Sequence, residues 1–484
     1  MNRYCLILSL SLINYCLAAN EYYTYDTIDS TLHAWQNEYG EATHPILEDY
    51  GIIYNLDTIG YSSQDSLPIF AVKLSEDANL PKQDKPRVLI LGQCHAEEIY
   101  GVEISMEIIE CYLDIEKCYF NYNNIREYLE NILKISLEKV ELWVVPTHNP
   151  EGLRVVHGYC DEDISVTEGT CNGNWIEDPT YRKNIRDAVN FDTFDYVEGV
   201  GQDKDGVDLN RNYDVNWIFG DELLEQTNSC NNNYNDDYDY YRGSAPFSEK
   251  EILAVRNLAI EKKFLLSIAY HSSRSGCVAE KVVFPWGWKD QGNSDNQRKI
   301  SPDYSIIKYL GDKLHQILEF PSADFAVPQG SRTGNAHDWL YQETGCIQYL
   351  IEVGEFNYGH GIGDEPINSY YDPEDGLLID NKYHETIEEN LEAFFYLMMT
   401  AAGENVSGIE TINLSQITGI VSNEAGNELV GAIVAVLEMD GLVLKPRVTD
   451  EFGRFRRLLH PDSSYTLVVS SPGYKTDTTT IESN

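Results

Sequence analysis

Val88-Leu89-Ile90-Leu91-Gly92-Gln93-Cys94-His95-Ala96-Glu97-Glu98 decides how the rest of the chain is read. Its first four residues are all aliphatic, the pattern of a strand buried on both faces. Downstream, Val102, Met106, Ile109 and Leu113 recur at helical spacing. The run therefore predicts a strand, a short connection and a helix, with His95 and Glu98 in the connection. In an open α/β sheet, ligands gather at such strand ends. An imidazole and a carboxylate at this spacing suit zinc, which takes nitrogen and oxygen ligands and keeps a water in catalytic sites. The same pair also fits a helix start capped by Glu98. The third ligand and the catalytic groups must come from elsewhere.

Working outward, apolar or alternating runs predict strands at 52–56, 68–74, 140–145, 264–270 and 348–353. Pro146 and a turn at Asn149-Pro150-Glu151-Gly152 end the third of these. Helical spacing marks 27–39, 129–137, 306–318 and 387–398. Another helix starts at Phe247-Ser248-Glu249, with Ser248 as N-cap. Strands alternating with helices predict an α/β domain, a mostly parallel mixed sheet with helices on both faces. Residues 158–241 are rich in Asp, Asn, Tyr and Gly and read as long functional loops. After a polar linker at 405–410, short strands at 417–421, 432–437, 449–450, 453–455 and 465–469 predict a small all-β sandwich. The expected domains are 1–19, 20–404 and 411–484.

Acidic residues number 79 against 35 basic ones, a net charge of −44. That argues against nucleic acid, which needs a basic face, and against anionic lipid. Residues 1–19 have the form of a secretory signal: Asn2-Arg3, an apolar core at 6–13, then Ala18-Ala19. No other stretch is long and apolar enough to cross a bilayer. The expectation is an extracytoplasmic protein, secreted or periplasmic. Of ten cysteines, Cys5 and Cys16 leave with the signal, and eight remain. Disulfides are permitted in an exported chain, and Cys160 with Cys171, bracketing a loop, is the expected pair. Asp203-Lys204-Asp205-Gly206 and the run 231–239 offer clustered oxygen ligands suited to calcium, though without EF-hand spacing.

The strand at 264–270 delivers His271-Ser272 at its end, as 88–91 delivers His95 and Glu98. Three protein ligands with one open position is the catalytic zinc arrangement, one ion per chain. A water activated there needs a base. Glu352, at another strand end, is the candidate, with Glu355 as the alternative. Asn210-Arg211 sets an amide beside a planar guanidinium, a pair able to clamp a carboxylate. Arg182 is suited to polarising a carbonyl.

The order of motifs resembles the zinc metallocarboxypeptidases, the carboxypeptidase A-like family, over residues 25–402. The matching stretches are His95-Ala96-Glu97-Glu98, Asn149-Pro150-Glu151-Gly152, Tyr181-Arg182-Lys183 and Asp208-Leu209-Asn210-Arg211-Asn212. Tyr241-Arg242-Gly243, Phe247-Ser248-Glu249, His271-Ser272, Asp338-Trp339 and Glu352-Val353-Gly354 complete the series. The resemblance implies zinc on His95, Glu98 and His271, Glu352 as general base and Arg182 on the scissile carbonyl. It implies that Asn210 and Arg211 grip the substrate's C-terminal carboxylate, and that one C-terminal residue is removed. Two positions depart from the pattern. Gly330 stands where the family has a substrate-covering tyrosine, with Arg332 as a nearby substitute, and Glu97 replaces an arginine found in many relatives. His337 falls at the floor of the specificity pocket, which with Arg332 suggests a polar or acidic terminal residue. The C-terminal segment resembles the transthyretin-like, carboxypeptidase regulatory-like module through Gly431-Ala432, Thr449-Asp450, Gly453 and Gly473-Tyr474. The leading expectation is an exported exopeptidase acting on peptide or protein C-termini. The alternatives are a peptidase or amidase of cell-wall or modified peptides, and a non-catalytic peptide-binding protein.

Overall fold

The computed structural model describes residues 22–41, 44, 48–118, 120, 126–161, 168–187, 194–197, 201–219, 238–272, 281–286, 288–289, 298–299, 301–319, 322–325, 333–353, 382–439 and 445–483. Residues 1–21, the calcium-type run through 237, Gly330, Arg332 and Glu355 lie outside the described residues.

In chain order the first elements are α1 (Tyr25–Tyr39), β1 (Tyr54–Tyr61), β2 (Pro68–Leu74), β3 (Arg87–Gln93), α2 (Tyr100–Leu113) and α3 (Arg126–Lys139). Then come β4 (Glu141–Thr147), α4 (Pro150–His157), β5 (Tyr159–Cys160), β6 (Trp175–Ile176), α5 (Lys250–Lys262) and β7 (Leu266–Ser272). The domain finishes with β8 (Lys281–Phe284), β9 (Trp288–Lys289), β10 (Arg298–Lys299), α6 (Tyr304–Ile317), β11 (Ser322–Phe325), α7 (Ala336–Thr344), β12 (Ile347–Val353) and α8 (Lys382–Ala402).

One eight-stranded sheet carries the domain, in the order β1-β2-β4-β3-β7-β12-β8-β11. The central strands β4, β3, β7 and β12 run parallel, and the β1, β2 and β8 pairings bring in antiparallel neighbours. The α/β reading holds, with a mixed sheet and parallel strands at its centre. Helices α2, α3, α6 and α8 pack together on one face, while α1 and α4, and α5 and α7, pack on the other. Strands β3, β4 and β7 are buried along their whole length. This is why they read as continuous apolar runs rather than alternating ones.

Three local expectations change. Strand β4 runs through Pro146 to Thr147. Its pairing with β2 ends at Val144, so the proline's missing N–H breaks no ladder bond on that side. The Asn149-Pro150-Glu151-Gly152 turn is instead the start of α4: Asn149 accepts from the Gly152 N–H, and Pro150 sits in the first turn. Ser248 does not cap α5. Glu249 is the N-cap residue, and Ser248 Oγ is engaged by Asn212 Nδ2 at 2.9 Å.

Helix α2 approaches the β3 end at two glycines. A Cβ on Gly101 would lie 2.4 Å from the Gly92 carbonyl oxygen, and one on Gly92 would lie 2.0 Å from that of Pro146. Gly101→Ala is expected to cost about 1–3 kcal/mol, because backbone must move to admit the methyl; the denaturant midpoint measures this.

Buried carboxyls brace the turn at 62–65. Glu151 accepts from the amides of Gln64 and Asp65 at 3.0 and 2.6 Å, and Glu251 accepts from that of Ser63 at 3.0 Å. Burial, then the repulsion of Glu251, pushes Glu151 up to about 8. Burial, then Glu249, pushes Glu251 up to about 7. The folded chain therefore keeps protons that the unfolded chain releases near pH 4.3. The stability this contributes is present at acid pH and is lost as pH rises through the folded values. Glu151→Gln keeps the acceptor without the charge. It is expected to flatten the fall in denaturant midpoint between about pH 5 and pH 8.

Beyond α8 come β13 (Ser415–Ile420), β14 (Ile433–Val436), β15 (Arg454–Leu459), β16 (Ser463–Ser470) and β17 (Asp477–Ser483). They form two small sheets, β13–β15 and β14–β16–β17. Strand β17 was not expected, because its threonine-rich, exposed sequence carries no apolar alternation. This unit docks by ion pairs: Arg454 and Arg456 with Asp84, Arg457 with Asp303 and Arg87 with Glu451.

Candidate metal centre

The centre forms where three neighbouring strands end together. Parallel pairing sets β7 between β3 and β12. The chain leaving β3 is pinned on several sides. Gln93 Nε2 donates to the Ala96 carbonyl at 3.0 Å, and Asn149 Nδ2 donates to the Cys94 carbonyl at 2.9 Å. The Ala96 amide donates to the Arg182 carbonyl at 2.9 Å. So held, His95 and Glu98 turn toward His271 at the end of β7. Ligand atoms of these three residues all lie within 4.8 Å of one another, and all three side chains are buried. Glu98 spans the pair, with Oε1 2.8 Å from His95 Nδ1 and Oε2 2.7 Å from His271 Nδ1.

This donor set fits a zinc ion. Two imidazole nitrogens and one carboxylate converge on one buried point, where an uncompensated carboxylate would be costly. Burial alone would raise the Glu98 carboxyl, but His95 and His271 hold it well below the usual range. His95 Nε2 lies 3.1 Å from Asp208 Oδ1 and 2.9 Å from Arg182 Nη2. Only Asp208 can accept a proton there. With the proton on Nε2, the Nδ1 lone pair points at the centre. His271 is lowered, chiefly by burial, so its neutral, ligating form is favoured.

Of the other residues singled out from sequence, Arg182 reaches the same point directly. Arg182 Nη1 lies 3.3 Å from Glu98 and 3.4 Å from Glu97, and its Nε donates to Asp208 at 3.2 Å. Arg211 donates to the Asn210 carbonyl at 2.8 Å and to Asn335 Oδ1 at 3.2 Å. Asn210 Oδ1 accepts from the Ala336 amide at 3.0 Å, which turns its NH₂ end away from that amide. Glu352 pairs directly with His271 in the parallel ladder, so both side chains leave the same face of the sheet. It is the one residue of β12 that is not fully buried. His337 is buried in the first turn of α7, with Nε2 3.6 Å from Asp338 Oδ1. The carboxylates of Asp203 and Asp205, read as calcium-type ligands, accept backbone amides of Val197 and Asp195.

A family model described as zinc carboxypeptidase matches residues 41–380, and one described as a carboxypeptidase regulatory-like domain matches 416–484. The chain belongs to the zinc carboxypeptidase family. Among relatives, the carboxypeptidase N catalytic chain of Mus musculus is 22% identical over 95% of this chain and 82% of its own. Mast cell carboxypeptidase A of Rattus norvegicus is 30% identical over 62% of this chain and 58% of its own. Carboxypeptidase B of Astacus astacus is 23% identical over 72% and 91%. The crystal structure of thrombin-activatable fibrinolysis inhibitor superposes with a TM-score of 0.50 at 17% identity, covering 80% of this chain and 75% of that one. The carboxypeptidase fold therefore stands for the main domain.

Two residues of this carboxypeptidase site were not singled out from sequence. Asp208 was read only as part of a motif; its role shows once His95 Nε2 is seen against it. Burial would raise its carboxyl, but Arg182, Arg211 and His95 hold it well below the usual range. Tyr240 sets its ring beside both arginines, with the guanidinium carbons of Arg182 and Arg211 at 5.4 and 5.6 Å from its centroid. It directly precedes the Tyr241-Arg242-Gly243 motif, the one signal that could have found it. Asp208→Asn keeps the shape but removes the charge behind His95. It is expected to weaken zinc binding by about 10–100-fold, read by competition with a chromophoric chelator.

Proposed function

We propose that this chain is an exported zinc metallocarboxypeptidase that hydrolyses the last peptide bond of peptides or proteins bearing a free C-terminus. The observation that carries this reading is the meeting of His95, Glu98 and His271 beside Glu352, with Arg182, Asn210 and Arg211 around them. Zinc held by His95, Glu98 and His271 would polarise the scissile carbonyl and lower the pKa of a bound water. Asn210 and Arg211 grip the terminal carboxylate, which admits only the last residue of a chain. Arg182 donates to the scissile carbonyl oxygen as negative charge builds on it. Glu352 takes a proton from the attacking water and delivers it to the leaving amine nitrogen. His337 forms the floor beneath the terminal side chain. Export is supported by the signal-like residues 1–19 and by two disulfides, Cys111–Cys118 and Cys160–Cys171. The second is the pair expected from sequence. No helix among the described residues is long and apolar enough to cross a membrane.

The test compares one peptide as free acid and as C-terminal amide, by mass spectrometry, with and without a chelator. Loss of a single residue from the free acid alone, abolished by the chelator, is expected. Glu352→Gln is expected to keep its zinc and lose about 10²–10⁴ in kcat. Equal cleavage of the amide would refute the carboxylate clamp. Full turnover in Glu352→Gln would move the base to Glu355.

A further inference from the structure

We propose that the cavity between the main domain and the C-terminal unit is a binding site for a small oxyanion carrying two charges, a phosphate or sulfate group. The cavity holds about 280 Å³. It lies against Arg87, Leu265 and Ile347, at the starting ends of β3, β7 and β12. The metal centre is at the opposite ends of the same strands, about 20 Å away at strand rise. Seven lysines and arginines line this cavity against three carboxylates, in a chain whose net charge is −44.

Most of these cations are neutralised by acids of the docking surface. Arg87 pairs with Glu141 and Glu451, Arg454 and Arg456 share Asp84, Arg457 holds Asp303, and Lys85 meets Glu76. Lys263 and Arg447 differ. Lys263 Nζ donates to the Thr449 carbonyl at 3.1 Å. Arg447 donates to the carbonyls of Lys445 and Tyr341 at 3.2 and 3.0 Å. Among the described residues, neither has a carboxylate partner. Carbonyls satisfy N–H groups but leave the charges uncompensated. Each side chain also reaches across the boundary, Lys263 to a carbonyl of the C-terminal unit and Arg447 to one of the main domain.

Their placement supports a ligand over simple packing. Lys263 follows α5 in the left-handed region, at φ +53°, where glycine costs least. The helix end favours a cation at that position. It does not account for Arg447, which comes from the other unit and lies over the face of Tyr341 at 5.1 Å. Gly345 makes room for it, since a Cβ there would lie 2.5 Å from Arg447 Nε. A planar guanidinium and an ammonium lining one cavity suit a tetrahedral oxyanion, and two charges on the ligand match these two cations, which have no carboxylate partner among the described residues. Such a ligand would tie the two units together.

The experiment uses the whole chain, with inorganic phosphate and inorganic sulfate as separate probes and chloride at matched ionic strength as reference. Calorimetric binding and the thermal midpoint are read for the wild type, Lys263→Gly and Arg447→Gln. One of the two anions is expected to bind and to raise the midpoint above chloride, and that anion names the group. Binding is expected to weaken about tenfold or more in each variant, the loss of one charge-assisted contact. Lys263→Gly is expected to be no less stable than wild type without anion, because glycine relieves the backbone; it therefore separates lost binding from lost folding. The proposal is overturned if neither anion exceeds chloride, or if Lys263→Gly binds as wild type does.

Discussion

A single buried carboxylate, Glu98, held between two imidazoles, constrains everything around it. Such a group is tolerated in an apolar core only when positive charge or hydrogen-bond donors surround it. His95 Nδ1 and His271 Nδ1 stand 2.8 and 2.7 Å from its two oxygens, and Arg182 adds a third contact at 3.3 Å. These three groups come from three separate regions of the chain. The sheet brings two of them together: β3 and β7 are hydrogen-bonded neighbours, and both end at the same level. The glycine contact between α2 and the end of β3 keeps the connection between them short and tight.

Around this carboxylate the charges alternate. Arg182 sits among Asp208, Glu97 and Glu98, and Asp208 in turn is set among Arg182, Arg211 and His95. The arrangement fixes both arginines beside the centre. It also explains how a strongly acidic chain keeps two guanidinium groups beside the centre. Local pairs act at contact distance with little screening, whereas the net charge acts through solvent. Glu97 is absorbed into this network beside Arg182.

The C-terminal unit is fastened by the same kind of force at the other end of the sheet. Arg454 and Arg456 lie two residues apart on β15 and so share a face, and both reach Asp84. Adjacent Arg457 leaves the opposite face and pairs with Asp303. A half-buried strand becomes an interface through the alternation of its arginines, and cations collect where the two units meet.

Local physics makes much of this legible in the linear chain. Buried central strands are mostly apolar, so 88–91, 140–145, 264–270 and 348–353 announced themselves, and His95, Glu98, His271 and Glu352 followed from the strand ends. The turn at Asn149-Pro150 and the cap at Ser248 were misread because one polar residue can cap a helix or close a turn with the same hydrogen bonds. Strand β17 was silent because its exposed threonines carry no apolar rhythm. Only the tertiary structure decided that Asp208 stands behind His95, that Tyr240 lies beside two arginines and that Cys111 pairs with Cys118. Periodicity records which face of an element is buried. It carries no record of which distant side chain will share that burial, since that is fixed by the order of strands in the sheet.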